Sequence, residues 1–294
     1  EVLAKGKIDL FFIEFAVNDD QDAGHASREC VRGMEGIIRQ ARKAQPNMDI
    51  VVTHFVNPGM LEQLREGKIP LSMAAHEKVL KAYNVSTIFL AREVVDRIDA
   101  GKLTWVVFGG THPKPAGNAI AADMIGHLLD RAWSKPVASK PAPHALPWKP
   151  VDEGCYQRGH FLLPAASANE AWTWHEPDWK QIPGGFRSDP FAGKKLLTAS
   201  LAGQEATVHF KGRALGAYVL AGPDAGVLEV NIDGGKWQRV DLYHRHSRGL
   251  HYPRTVMFAT DLKTGAHTAK IRISNKSNPL SKGTAARVLQ FVVN

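Results

Sequence analysis

The chain has 294 residues, which is long for one domain and suits two domains that each bury a core. Hydrophobic residues make up 44% and charged residues 22%, a balance that is ordinary for a folded globular protein and argues against extensive disorder. The net charge of +8 lies mostly in the second half, where it is spread through strand-like segments, so we expect no nucleic-acid partner.

Residues 1–133 alternate between apolar strand-like runs and helical patterns. The strand-like runs cover 9–17, 50–56 and 85–90, and the helical patterns cover 27–44, 72–83, 91–100 and 115–133. Ser27 and Ser72 stand where helix N-caps are expected, and Pro115 suits a first helical turn. This alternation predicts an α/β domain with a parallel sheet.

The first strand-like run is too apolar to serve as the edge of a sheet. Its central residues are Leu10, Phe11, Phe12 and Ile13, and an exposed edge of this kind is a template for aggregation. We therefore expect neighbours on both sides of this strand, one of them from sequence that precedes Glu1. On this interpretation the chain is a fragment that lacks the first units of its α/β domain and has poor solubility alone.

A proline-rich segment separates the two halves of the chain. Residues 134–150 contain five prolines in 17 positions, a density that prohibits regular helix and is typical of a semi-rigid extended linker. We place the domain boundary in this segment.

Residues 151–294 carry short alternating strands separated by turns. Residues 227–232 alternate between apolar and polar side chains. Asp233, Gly234 and Gly235 supply a hairpin turn, and residues 237–242 form the returning strand. Further strands are expected at 196–200, 206–211, 215–221, 254–259, 267–274 and 286–293. This pattern predicts an all-β jelly-roll or β-sandwich domain.

Two loops of the α/β domain carry candidate catalytic residues. Asn18 follows the first strand, where ligands collect in open parallel sheets, and a side-chain amide there can donate to an oxyanion. His112 follows two glycines and precedes Pro113, in a loop that would hold an imidazole at the top of the sheet as a general base. Each residue alone also fits a turn or a helix cap, and the pair together favours a catalytic role.

These two loops resemble sequence blocks of the SGNH/GDSL hydrolase superfamily. The Gly-x-Asn-Asp block is matched by Ala16-Val17-Asn18-Asp19, with alanine in place of glycine. The Asp-x-x-His-Pro block is matched by Gly109-Gly110-Thr111-His112-Pro113, and the resemblance covers about residues 1–133. It implies a flavodoxin-like sheet and an esterase or acylhydrolase in which a serine attacks the ester, His112 is the general base and Asn18 is the oxyanion donor.

The chain departs from that family at two points. The nucleophile serine block lies upstream of the asparagine block in the family and is absent from this chain, and Ser27, Ser72 and Ser86 lack suitable neighbours for the role. The position of the family's orienting aspartate is Gly109. Either a backbone carbonyl or water orients the histidine, or another carboxylate does. The alternative site residues are Asp20, Glu93 and His54.

The β domain resembles the accessory modules of secreted esterases that act on polysaccharides. This resemblance implies a carbohydrate O-acetylesterase whose partner is a small-molecule or polysaccharide ester, located in the periplasm or secreted by a bacterial-type route, with no signal peptide in this chain. The alternative is a noncatalytic carbohydrate-binding protein with a degenerate hydrolase domain. Oligomeric state, acyl group and sugar stay open.

No cofactor or metal is expected from the sequence. Cys30 and Cys155 match no metal or redox spacing, and the histidine-rich segment 243–252 resembles no standard zinc motif. No apolar run reaches the roughly 20 residues that a bilayer requires, so we expect no membrane partner.

Overall fold

The structure is a computed structural model that describes residues 2–134, 136, 140–185 and 188–294. It divides into two compact units, Glu1–Gln157 and Arg158–Asn294. The expected linker 134–150 falls partly on Lys135 and residues 137–139, which lie outside the described residues. The predicted fold class, an α/β domain followed by a β-sandwich, is confirmed.

The first unit contains a parallel sheet in the described part of the chain. Its strands are β1 (Leu10–Ile13), β2 (Asp49–Thr53) and β3 (Ser86–Ile88), in the order β1-β2-β3. Phe11 is in register with Ile50, and Val52 with Thr87. Since the strands are parallel, their carboxyl ends share one edge of the sheet.

Six helices in the described residues accompany this sheet. They are α1 (Ser27–Ala44), α2 (Pro58–Arg65), α3 (Leu71–Tyr83), α4 (Leu90–Asp99), α5 (Trp105–Phe108) and α6 (Pro115–Trp133). The bounds of α1 and α6 are those expected from sequence, whereas α2 and α5 were not expected. The predicted serine caps are wrong: the N-cap of α1 is Ala26, and Ser72 lies inside α3, where its hydroxyl donates to the backbone.

The core of this unit lies on both faces of the sheet. On one face Val51 packs with α2, α4 and α6, in a cluster that includes Met60 and Val94. On the other face Ile50 and Val52 pack with α1 and α3. Burial on both faces explains why these strands are apolar without alternation.

The strand β1 ends the sheet in the described part of the chain, with β2 as its neighbour. The side chain of Phe12 is 41% exposed and that of Phe15, just beyond the strand, is 46% exposed. The sequence predicts a second neighbour at this edge, and the open edge leaves two large aromatic side chains in contact with solvent.

Residues 140–157 pack along α1. The carboxylate of buried Glu35 accepts hydrogen bonds from the backbone N–H groups of Val151 (2.7 Å) and Asp152 (2.9 Å) and from the hydroxyl of Tyr83 (2.5 Å). Arg32 forms an ion pair with the carboxylate of Asp152 at 2.9 Å. These contacts tie the end of the first unit to its core.

The second unit consists of antiparallel strands. In chain order they are β4 (His160–Leu162), β5 (Thr173–His175), β6 (Leu196–Ala199), β7 (Glu205–Gly212), β8 (Leu215–Ala221), β9 (Val227–Ile232), β10 (Gln238–Asp241), β11 (Tyr252–Ala259), β12 (Gly265–Ile273) and β13 (Ala286–Val293). In the described residues one sheet has the order β10-β9-β12-β7, and the other has β11-β8-β13-β6-β5, with β4 beside β13. The two sheets enclose one core, which includes Trp172, Val208 and Phe291.

Candidate functional site

Asn18 lies on a π-helical turn at the carboxyl end of β1. The turn covers Asn18–Asp22, and its defining hydrogen bond runs from the N–H of Ala23 to the carbonyl of Asn18 at 2.9 Å. Asn18 is exposed, although Ala16 and Val17 directly before it are buried. Single π-helical turns occur frequently at functional sites. The sequence predicts a continuing strand through residue 17, and here the structure differs.

The side-chain amide of Asn18 is oriented by a neighbour in the same turn. Its Nδ2 donates to Oδ2 of Asp22 at 3.0 Å. Because an amide nitrogen carries two N–H bonds, this contact uses one of them. The arrangement can therefore hold the amide in place while an N–H is directed at a ligand.

Three side chains from other elements hold the residues around Asn18. On α3, the hydroxyl of Ser72 donates to the carbonyl of Ala16 at 2.9 Å, and Nε2 of His76 lies 2.9 Å from Oδ2 of Asp19. Asn57, the N-cap of α2, donates from Nδ2 to Oδ2 of Asp20 at 2.8 Å. The structure thus gives Asp20, a candidate orienting carboxylate, a role as acceptor for Asn57.

His54, the third alternative site residue, lies in the core with no exposed surface. Its Nε2 is 2.8 Å from Oε1 of Glu77, and its ring stacks on that of His76 with centroids 6.1 Å apart. Burial lowers the pKa of His54, and the hydrogen bond from His54 lowers the pKa of Glu77. The structure therefore places His54 behind His76, among buried groups.

His112 lies in the loop between α5 and α6, and it is exposed. The loop closes through a hydrogen bond from the N–H of Lys114 to the carbonyl of Phe108 at 3.0 Å. Pro115 begins α6 directly afterwards. A short loop closed at its base and followed by a proline restricts where the imidazole can lie.

Gly109 has a backbone conformation that accounts for the absence of an aspartate at this position. Its φ is +108°, and a Cβ built there would lie 2.2 Å from the backbone nitrogen of Lys114. No side chain fits in that space without a movement of the backbone. The carboxylate that the family places three residues before the histidine is therefore incompatible with this loop.

Glu93 lies in the first turn of α4, where its carboxylate accepts a hydrogen bond from Nε of Arg97 at 2.7 Å. In the described part of the chain, no hydrogen bond joins His112 to Asn18, Asp20 or Glu93. The structure brings together Asp20 with Asn57, and His54 with His76. The catalytic roles of these residues stay predictions.

The site residues expected from the sequence do not include Ser72, His76, Asn57 or Asp22. Two of them could have been recognised from the sequence. Asn57 precedes Pro58, a pairing typical of a helix N-terminus, and Asp22 is four residues beyond Asn18. Ser72 and His76 could not have been recognised in this way, because their hydrogen-bond partners are 56 and 57 residues away in the chain.

The second unit carries a polar pocket with a volume of about 430 Å³. Its wall includes Thr173, His175 and Thr198, whose hydroxyl and ring-nitrogen atoms lie within 3.5 Å of one another. Asp178 and Gln181 also line it and are joined by a hydrogen bond at 2.8 Å. Hydroxyl, amide and carboxylate groups of this kind can bind a ligand that is rich in hydroxyl groups.

No helix in the described residues is long and apolar enough to span a bilayer. The chain matches no protein-family model, and no curated protein matches it.

Two solved structures resemble the chain over nearly its whole length. One is a two-domain esterase (CEX) active on acetylated mannans, co-crystallised with mannopentaose, with a TM-score of 0.70 and 18% identity over 99% of this chain and 73% of that one. The other is also a two-domain esterase (CEX) active on acetylated mannans, with a TM-score of 0.71 and 18% identity over 99% of this chain and 74% of that one. This likeness shows that the chain has a two-domain fold seen in carbohydrate esterases.

Proposed function

We propose that this chain belongs to an SGNH-type serine esterase that removes O-acetyl groups from a carbohydrate. The observation that carries the proposal is the shared fold, which extends over 99% of the chain and both of its units to an esterase described as active on acetylated mannans. Asn18 at a sheet edge and His112 in a restricted loop of the same unit supply two of the chemical groups that such a reaction requires.

In the proposed reaction His112 takes the proton from a serine hydroxyl as that oxygen attacks the ester carbonyl. The negative charge that develops on the carbonyl oxygen is stabilised by an N–H of Asn18, a contribution on the order of 3 to 4 kcal/mol for donors of this kind. His112 then returns the proton to the sugar oxygen as the ester bond breaks. Water next attacks the acyl-serine, with His112 taking a proton from the water and returning it to the serine oxygen, and the free acid is released.

We propose that the nucleophile lies outside these 294 residues. Ser72 is buried and donates to the carbonyl of Ala16, and Ser86 begins β3 at the end of the sheet opposite to Asn18. Ser27 begins α1 nine residues after Asn18 and does not follow a strand directly. The open edge at β1 is compatible with a further strand that carries such a serine. We also propose that the protein acts in the periplasm or outside the cell, where polysaccharides occur.

The test is ester hydrolysis by the protein from the complete reading frame. We expect it to hydrolyse p-nitrophenyl acetate, to release acetate from acetylated mannan and to react with a serine-directed phosphonate. His112→Ala should lower kcat by about a thousandfold or more. His127→Ala, an exposed histidine on α6, is the matched control and should retain full activity. Equal activity in the two variants would exclude His112 as the base.

The same assay tests the two carboxylates as orienting groups for His112. Replacing each by its amide, as Asp20→Asn and Glu93→Gln, keeps the side-chain shape and removes the charge. A large loss of kcat in one variant alone would identify the orienting group, and parental kcat in both would favour a backbone carbonyl or water.

A noncatalytic carbohydrate-binding protein is the second candidate, and the polar pocket of the second unit favours it. If this candidate is correct, calorimetry should detect binding of mannopentaose to the chain, and Thr198→Val should weaken that binding. No ester hydrolysis should be detected. Binding with hydrolysis that depends on His112 would support the esterase.

A further inference from the structure

We infer that His76 is a positioning residue that fixes the turn carrying Asn18. This inference rests on the proposed function, because it gives His76 a purpose in presenting the oxyanion donor. The residue does not reach the reacting atoms itself, since its ring is 1% exposed and lies beneath the turn.

The contact that carries the inference joins the ring of His76 to the residue next to Asn18. Nε2 of His76 donates to Oδ2 of Asp19 at 2.9 Å, and the side chain of Asp19 is only 20% exposed. A hydrogen bond to a carboxylate in a largely buried setting is stronger and more directional than one between exposed groups. The position of Asp19 is therefore set by α3.

Ser72 and His76 are four residues apart, so they lie on the same face of α3. Ser72 holds the carbonyl of Ala16, two residues before Asn18, and His76 holds the side chain one residue after it. One face of α3 thus forms hydrogen bonds to the chain on both sides of Asn18, which is exposed. This arrangement fixes the backbone of Asn18 while its amide stays open to a ligand.

Buried groups behind the ring restrict how His76 can move. The ring of His54 stacks on it at an interplanar angle of 22°, and His54 is itself held by Glu77. Glu14 lies on the turn side, where its carboxylate accepts from the N–H of Val17 and burial raises its pKa. A ring that is packed and hydrogen-bonded in this way keeps one orientation.

A metal site is the competing explanation for two adjacent buried histidines. In the described residues no group of three or more histidine, cysteine, aspartate or glutamate side chains is arranged to hold a metal ion. The hydrogen-bond partners of the two rings are carboxylates, Asp19 at Nε2 of His76 and Glu77 at Nε2 of His54. The positioning role accounts for these contacts directly.

The test is a mutant cycle in the protein from the complete reading frame. A shift of about 1 Å in a catalytic group can cost roughly 100-fold in rate, so we expect His76→Ala to lower kcat by about 10- to 100-fold with little change in KM. His76→Gln, whose amide N–H can replace Nε2–H, should restore most of kcat. In an Asn18→Ala background, His76→Ala should cause no further loss.

Val79→Ala is the matched structural control, since Val79 is a fully buried residue of the same helix that packs in the cluster of Ile50 and Val52 and has no hydrogen-bonding side chain. It should lower the free energy of unfolding in urea and leave kcat at the parental value. A His76→Ala protein that retains kcat, or that loses equal factors with and without Asn18, would overturn the inference alone. Absence of His112-dependent hydrolysis in the parent would overturn the proposed function, and the inference with it.

Discussion

His54 is a buried titratable group whose charge state affects stability. The ring has no exposed surface, and burial lowers its pKa below the ordinary value of 6.5. Because the unfolded ring binds a proton more readily than the folded one, protonation favours the unfolded chain. The stabilising contribution of the neutral ring is complete above about pH 6.5 and is lost as the pH falls. The lowered pKa of Glu77 acts in the same direction at lower pH.

We therefore predict that the free energy of unfolding of this protein decreases between pH 7 and pH 5, and that this decrease is smaller in His54→Gln. Glutamine can still donate to Glu77 but does not titrate. Urea unfolding at the two pH values measures the effect, and comparison of the two proteins cancels the other histidines, including His267, whose pKa is raised by Asp233. An equal decrease in both proteins would assign the pH dependence to other groups.

At the scale of single residues, the sequence predicts only part of the candidate site. Asn18 and His112 are recognisable because each stands in a short local motif. The support beneath Asn18 is not recognisable, because Ser72 and His76 reach it through the fold from another helix. The unsuitability of Gly109 for an aspartate also depends on a backbone angle that no residue pattern specifies.

The loop between α5 and α6 contains two glycines with different constraints. Gly109 and Gly110 both have positive φ, at +108° and +84°, but a Cβ meets Lys114 only at Gly109, whereas none of the nearby atoms obstructs it at Gly110. At Gly109 both the positive φ and the contact with Lys114 require a glycine, whereas at Gly110 the positive φ alone favours one.

We predict that Gly109→Ala lowers the free energy of unfolding by more than Gly110→Ala, for which strain of about 1 to 2 kcal/mol is expected. Gly109→Ala should also lower kcat, because Lys114 must move and His112 is two residues before it. Urea unfolding and ester hydrolysis of both variants, made in the protein from the complete reading frame, are the measurements. Equal costs at the two positions would show that the loop relaxes freely.

The elements that the sequence predicts best are long and strongly patterned. Helices α1 and α6 and strands β8, β9 and β13 have the expected bounds, since many residues contribute to each pattern. Strand β1 is shorter than expected because contacts from α2 and α3 hold residues after Ile13 in a turn. The short strands β4 and β5 have only three residues each, too few for a periodicity to be visible.

The exposed edge at β1 predicts self-association of the 294-residue chain. Phe12 presents a large apolar surface there, and a charged residue on an edge strand opposes pairing with another chain. Phe12→Lys should therefore lower the apparent mass at high concentration in analytical ultracentrifugation. Leu280→Lys, at a more exposed apolar residue in a turn of the second unit, is the control and should have no effect. If both variants behave like the parent, this edge does not drive association.

At the scale of the whole molecule, each unit has a core of its own. The second unit encloses Trp172, whose indole N–H donates to the carbonyl of Gln204 at 3.1 Å, between two sheets that are built entirely from its own strands. We expect a unit with a closed core of its own to fold independently.

We predict that residues 158–294, expressed separately, fold cooperatively. Thermal unfolding followed by near-ultraviolet circular dichroism should show one transition, and Val208→Ala should lower its midpoint because it removes fully buried methyl groups. A broad transition that Val208→Ala does not shift would show that the sandwich requires the rest of the chain.

The buried carboxylate of Glu35 determines where this protein can be divided. Its partners include the backbone of Val151 and Asp152, far beyond the end of α6, and the neighbouring Arg39 reaches Gln157 at 2.7 Å. A protein that stops after α6 would leave a charged group in its interior without those donors, at a cost of a few kcal/mol. A chimera that exchanges the β-sandwich for another binding module should therefore join it after Gln157 and keep the proline-rich segment with the α/β half.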